Sequence, residues 1–226
     1  MLLSVSDFSR GEIVRHFGIS KDKISLTYNS ILPVPQIDDY IDIKKLYGLN
    51  KFVLTVSRLE PRKNHISLLK AFIELGLPEQ GYKLVMVGGK DLENRILFDY
   101  YDSLPSKLKK AVLFIQVPFS HLVSLYKNAD LFVFPSFGEG FGIPPIEAIA
   151  YGCPLLCSNV TAMAEFDLPD EITFNPYDLE ELKKKLRIQL QHPLERFFYR
   201  QRVLDKYNWQ KIADRFYDVL MKNSNE

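Results

Sequence analysis

Two carboxylates and two cations carry the chemistry that this sequence could do. Glu139 and Glu147 bracket a turn holding Gly138, Gly140 and Gly142, between the apolar run 131–134 and a helical pattern that begins near Pro144. Glycines at a strand-to-helix turn let the backbone pass close to a ligand with no Cβ in the way. The free N–H groups of a helix's first turn carry partial positive charge and suit phosphate. Carboxylates repel phosphate. Glu139 in the loop and Glu147 on the first turn of the helix therefore read as acceptors for hydroxyl groups. Phosphate donors beside hydroxyl acceptors suit a sugar nucleotide. Arg58 and Lys63 fit the same ligand, since a guanidinium forks onto two phosphate oxygens and an ammonium acts as a compact point charge. Arg62 reads either as exposed or as ligating.

These residues need a frame that brings distant segments together. Apolar β-type runs at 52–57, 83–87, 112–115, 131–134, 154–158 and 171–174 alternate with helical patterns at 66–75, 92–101, 121–127, 145–151, 179–191 and 212–221. Near-continuous apolar runs suit strands buried on both faces, and strands separated by helix-length segments imply a parallel sheet flanked by helices. The predicted fold class is α/β, a Rossmann-like parallel sheet. Ligands bind such sheets beyond the carboxyl ends of the strands. Residues 57–63 and 138–147 both follow a strand and precede a helix, so one crevice can hold both.

With those motifs in view, Glu139-Gly140-Phe141-Gly142 and Glu147 resemble the E-x7-E signature of retaining family 4 glycosyltransferases. Residues 56–64, Val-Ser-Arg-Leu-Glu-Pro-Arg-Lys-Asn, resemble that family's donor-phosphate segment, in which Ser57 stands at a usual glycine. The likeness runs from about residue 50 to 165, including the strand that ends at Gly88-Gly89. It implies the C-terminal, donor-binding half of a GT-B fold. It further implies transfer of a sugar from a UDP- or GDP-sugar to a glycan or lipid-linked acceptor, with retention, no cofactor and no metal. Lys63 and Arg58 would meet the pyrophosphate, Glu147 the ribose and Glu139 the transferred sugar, with Glu139, Arg58 and Lys63 forming the catalytic set. The Gly140, Phe141 and Gly142 N–H groups would meet the β-phosphate and sugar. Val117 would approach the base through its backbone. Gly88 would either line the crevice or serve as a structural turn. Gln116 replaces a usual glycine and leaves the base open. The alternative is a non-catalytic or split-subunit nucleotide-sugar-binding module that requires a partner domain.

The resemblance also implies that residues 1–36 are the remnant of an N-terminal acceptor domain plus a linker. Residues 37–226 would be the donor domain, and the helix near 212–221 would cross back toward the missing half. Within the first part, 2–6, 9–17 and 24–28 read as β-α-β, and Pro33 and Pro35 mark the linker.

Composition narrows the partners. A formal net charge of +1 gives no global pull toward nucleic acid or an anionic membrane. No apolar stretch approaches the ~20 residues of a membrane span. The N-terminus lacks the basic flank of a signal peptide. Cys153 and Cys157 read as buried free thiols, which suits the cytoplasm, with any contact at the inner membrane face made through the missing half. His16, His65, His121 and His192 show no metal-ligand spacing, and His65 and His121 read as exposed helix-start residues. Lys183-Lys184-Lys185 with Arg187 reads as a solvated helix face, and Phe197-Phe198-Tyr199 as packing for a C-terminal helix.

Overall fold

The computed structural model describes residues 2–31, 41–90, 94–195 and 197–223. In chain order the elements are β1 (Leu2–Ser4), α1 (Asp7–Phe17), β2 (Ile24–Leu26), α2 (Ile43–Leu46), β3 (Lys51–Val56), α3 (His65–Glu74), β4 (Tyr82–Val87), α4 (Arg95–Ser103) and α5 (Ser106–Lys109). Then come β5 (Val112–Ile115), α6 (Phe119–Asn128), β6 (Leu131–Phe134), α7 (Ile143–Ala150), β7 (Leu155–Ser158), β8 (Thr173–Phe174), α8 (Leu179–Gln191), α9 (Phe197–Lys206) and α10 (Trp209–Asn223).

Six strands form one parallel sheet in the order β5-β4-β3-β6-β7-β8. Alternation along the strands divides the core. Phe52, Leu54, Phe132, Phe134, Leu155 and Cys157 face one side with Leu125, Tyr126 and Ile146, whereas Val53, Leu131, Val133 and Leu156 face the other with Leu68, Phe72, Leu182 and Leu186. Both faces are covered, so the strands are apolar throughout, as the runs require. The predicted α/β class is what the chain adopts.

Strand edges lie within a residue or two of the expected ones, save for 171–174. There Asp170–Ile172 winds into a 3-10 turn and only Thr173–Phe174 pairs with β7. Helix α7 begins at Ile143, so Glu147 is its fifth residue and sits in the second turn, not the first. The linker prolines Pro33 and Pro35, and the expected boundary at residues 36 and 37, lie outside the described residues. Residues 2–26 form a β-α-β unit with its own two-stranded parallel sheet, β1 against β2.

That unit is fastened beside the 138–142 loop. Glu165 accepts from the N–H groups of Asp7 at 3.0 Å and Phe8 at 2.6 Å, occupying first-turn donors that α1 cannot satisfy internally. Tyr28, Phe141, Phe166 and Tyr207 form an aromatic cluster with ring centroids 5.3–6.3 Å apart. Edge-on packing of this kind adds to the burial of each ring.

The basic run on α8 is not simply solvated. Lys183 bridges Glu180 at 2.5 Å and Glu74 of α3 at 2.8 Å, and Lys185 lies 3.0 Å from Glu181, while Lys184 and Arg187 are exposed. Both cysteines are free and buried.

Candidate active site

Each segment singled out in the sequence follows the carboxyl end of a parallel strand: Ser57 after β3, Gly88 after β4, Val117 after β5, and the 138–142 loop after β6. Because β3 and β6 are neighbours, their loops meet. The Phe137 N–H donates to the Arg62 carbonyl at 2.9 Å, and the Arg62 guanidinium donates to the Gly138 carbonyl.

Lys63 and Glu139 are brought into direct contact. Lys63 Nζ lies 2.6 Å from Glu139 Oε1, with the two side chains only 13% and 9% exposed. Glu139 also accepts from Ser136 Oγ at 2.8 Å and from Arg62 Nη1 at 3.0 Å. Its own N–H donates to Thr161 Oγ1 at 2.9 Å. The ammonium stands 5.8 Å from the Phe134 ring centre. Such a sheltered pair is screened by salt less than a surface pair. Arg62 turns out to be part of this cluster, although it is exposed and also reaches Glu60 at 2.8 Å. Arg58 is exposed on the same loop.

The N–H groups of Gly140, Phe141 and Gly142 have no hydrogen-bond acceptor among the described residues. Pro144 and Pro145 carry no N–H, so α7 contributes far fewer first-turn donors than an ordinary helix. An anion here would be met chiefly by the loop, not by the helix end. Gly142 holds φ 95°, which a side chain would strain. The Phe141 ring points into the aromatic cluster and is 5% exposed, so only its backbone can serve a ligand. The Gly140 carbonyl accepts from Ser9 Oγ at 3.0 Å.

Glu147 is half-buried, and its side-chain hydrogen bond among the described residues is to Tyr126, not to the Lys63 cluster. Burial raises its carboxyl above the ordinary carboxylate range, while the Tyr126 hydroxyl, donating to Oε2 at 2.9 Å, opposes the rise. Its other oxygen remains available as an acceptor.

His65 does open α3, as expected, but it is buried and not exposed. It is 1% exposed, and Nε2 lies 3.0 Å from Ser57 Oγ. Burial first, and the Lys63 charge second, lower its pKa to about 4. His65 is therefore neutral in the folded chain at pH 7. Unfolded, it takes up a proton near pH 6.5. Because the folded pKa is depressed, its contribution to stability is complete above pH 6.5 and is lost as pH falls toward 4. Denaturant titrations across that window should show wild type losing stability faster than His65→Gln, and parallel curves would contradict this assignment. His121, also expected to be exposed, is half-buried, with Nδ1 2.8 Å from the Tyr47 hydroxyl.

Gly88 resolves as a point of close approach between loops. Its φ is 152°, and a Cβ there would fall 1.9 Å from the Ser57 carbonyl oxygen. Val117 is half-buried against the core, on the β5 edge of the sheet.

Residues 36–203 match the family Glycosyl transferases group 1, well over half of the chain. The chain belongs to this family. It is 31% identical over 198 residues to the O-antigen chain mannosyltransferase B of Escherichia coli, covering 84% of this chain and 51% of that protein. It is 30% identical over 204 residues to the O-antigen chain mannosyltransferase RfbU of Salmonella typhimurium, covering 87% of this chain and 53% of that protein. The chain thus spans about half the length of these relatives. Among solved structures it is similar to Anabaena HepE, crystallised with UDP and glucose, at TM-score 0.82 and 18% identity, covering 98% of this chain and 63% of that one. Sucrose-phosphate synthase from Thermosynechococcus elongatus aligns at TM-score 0.78 and 23% identity, covering 99% of this chain and 58% of that one. The GT-B-type Rossmann-like fold is thereby shared.

Within this group 1 chain, four residues outside the expected set shape the site: Ser136, Thr161, Tyr126 and Glu165. Ser136 lies inside the Pro-Ser-Phe-Gly-Glu segment, so its proximity in sequence is a usable signal. Thr161 is a β-branched residue at φ 54°, a conformation that nothing in the sequence signals. Among the described residues, no His, Cys, Asp and Glu side chains form a group of three able to hold a metal ion. Among them, too, no helix is long and apolar enough to cross a membrane.

Proposed function

We propose that the chain is the donor-binding half of a retaining glycosyltransferase that moves a sugar, mannose by analogy with its relatives, from a nucleoside diphosphate to a glycan or lipid-linked acceptor. The observation that carries this reading is the convergence of Lys63 with Glu139, beside the open N–H groups of residues 140–142. A cation next to aligned backbone donors suits the diphosphate, and it is most effective where negative charge grows as the glycosidic bond breaks. Arg58, exposed on the same loop, would reach the outer phosphate oxygens. Glu139 would accept from the sugar hydroxyls and Glu147 from the ribose. Val117 would meet the base. Metal-independent binding follows from this cation set as an expectation.

A half-length chain favours one further element of the reading. Trp209, Phe216, Tyr217, Leu220 and Met221 on α10 are 37–62% exposed, and Leu2 and Leu3 of β1 are 41% and 37% exposed. The acceptor half would cover these faces, with residues 2–26 as its last portion. On its own the chain should bind donor and transfer sugar poorly.

Calorimetric titration with UDP, GDP, ADP and their sugar conjugates tests the donor site. Saturable binding to one nucleotide, unchanged by a metal chelator, is expected. A folded chain that binds none of them overturns the assignment.

The contact between Lys63 and Glu139 also leads to a prediction of unusual sign. Glu139 already neutralises Lys63 and Arg62, so a diphosphate must compete with it. Glu139→Gln should tighten binding of a bare nucleoside diphosphate roughly fivefold, equivalent to about 1 kcal/mol, because the sheltered pair with Lys63 no longer has to be opened. Weaker binding by this variant would show that the carboxylate supports the phosphate site instead.

A further inference from the structure

We propose that Tyr177, carried on Phe137, forms a stacking platform for a pyranose ring of a bound glycan beside Glu139. This rests on the sugar-nucleotide reading of the neighbouring site. The Tyr177 ring lies 4.9 Å from that of Phe137 at an interplanar angle of 24°, and Tyr177 is 72% exposed. Its hydroxyl has no partner among the described residues.

A surface tyrosine on a loose loop would mean little, but this loop is held from several sides. Asn175 Oδ1 accepts from the Tyr177 N–H at 3.0 Å, and the Asn175 carbonyl accepts from the Asp178 N–H at 3.0 Å. Glu181 accepts from the Asn175 N–H at 2.9 Å. The buried Asn64 donates to the Pro176 carbonyl at 3.1 Å, tying the segment to the residue that follows Lys63. Phe137 is itself fixed by its N–H bond to Arg62. The ring is thus preorganised yet left in water, although burial of such a side chain is worth about 1.5–3 kcal/mol.

Its surroundings suit a sugar. Phe137 is two residues from Glu139, so their Cα atoms are at most about 7.6 Å apart. The exposed Arg62 guanidinium donates to the carbonyl of Gly138, the residue after Phe137, and to the Glu139 carboxylate at 3.0 Å. A pyranose presents an apolar face of C–H groups to an aromatic ring and hydroxyls at its rim to polar neighbours. An amphipathic tyrosine stacked on Phe137, whose chain neighbours Gly138 and Glu139 hold the Arg62 guanidinium, matches both. The sheet order gives direction: Val117 follows the strand at one edge, and Tyr177 follows the strand at the other. A donor whose base lies toward Val117 and whose sugar meets Glu139 leaves Tyr177 on the far side of that sugar, where an acceptor glycan belongs.

The test is saturation-transfer NMR of an α-linked mannotriose with wild type, Tyr177→Ala and Tyr177→Phe, each also titrated with nucleoside diphosphates. Wild type and Tyr177→Phe should both show transfer to the sugar protons. Tyr177→Ala should weaken it at least fivefold with unchanged nucleotide binding. Equal transfer in Tyr177→Ala, or none in wild type, overturns the platform. Loss of nucleotide binding in all three, with mannotriose still dependent on Tyr177, overturns the donor reading and leaves the platform standing.

Discussion

Lys63→Ala is expected to weaken nucleoside-diphosphate binding at least about 100-fold, roughly 3 kcal/mol, in line with the loss of a charge-assisted contact in a sheltered site. Two effects combine. The variant removes a point charge that is only 13% exposed, and it leaves Glu139, 9% exposed, facing the incoming phosphates with Arg62 as its remaining cation. Lys63→Arg should not restore affinity, because a planar fork cannot occupy the place of a compact ammonium between the Phe134 ring and Glu139. Calorimetry on the two variants, with circular dichroism to show intact folding, decides the matter. An affinity within threefold of wild type for Lys63→Ala would remove Lys63 from the site.

Gly88→Ala is expected to destabilise the whole chain by roughly 3 kcal/mol, lowering Tm by about 6–12 °C for a chain of this size. The new Cβ would sit 1.9 Å from Ser57 O and 2.7 Å from Ser57 C, which are backbone atoms with no rotamer through which to escape. A φ of 152° adds strain that only glycine avoids. Relief requires β3 and β4 to part just where the Ser57 N–H reaches Val87 O at 3.0 Å, and it strains the Gly88 N–H bond to Ile115 O of β5 at 2.9 Å. The loop that carries Arg58 and Lys63 would move with them, so nucleotide affinity should fall together with stability. Gly138→Ala is the control: its Cβ would meet only Thr161 Cγ2, at 3.5 Å, and should leave Tm nearly unchanged. A Gly88→Ala protein that melts with wild type would mean that the two loops have slack which this packing does not show.

The sheet is legible because buried parallel strands leave a strong mark. Phe52, Val53 and Leu54 are all 0% exposed, and a short run that is apolar at every position belongs to a strand covered on both faces. The site is legible residue by residue, but its pairings are not. Nothing in the sequence says that Lys63 rests on Glu139, since that contact depends on β3 and β6 being neighbours. His65 does carry a signal against the exposed reading. It shares the spacing of Leu68, Leu69 and Phe72 on the buried stripe of α3, and that periodicity outweighs its polar character. Paired prolines suggest a helix start at residue 145 and so put Glu147 a turn too early, whereas the positive φ of Gly142 sets the start at Ile143. The exposed stack of Tyr177 on Phe137 joins distant segments and leaves no pattern to find.

The grip of Glu165 on α1 has a mechanical meaning. Glu165 holds the first two N–H groups of that helix, Ser9 reaches the Gly140 carbonyl at 3.0 Å, and the Tyr28 ring leans on Phe141. Helix α1 is therefore a lever whose short arm rests on the glycine loop. A load on its far end, near the 74% exposed Phe17, would pass to the glycine loop through the Ser9 contact with Gly140.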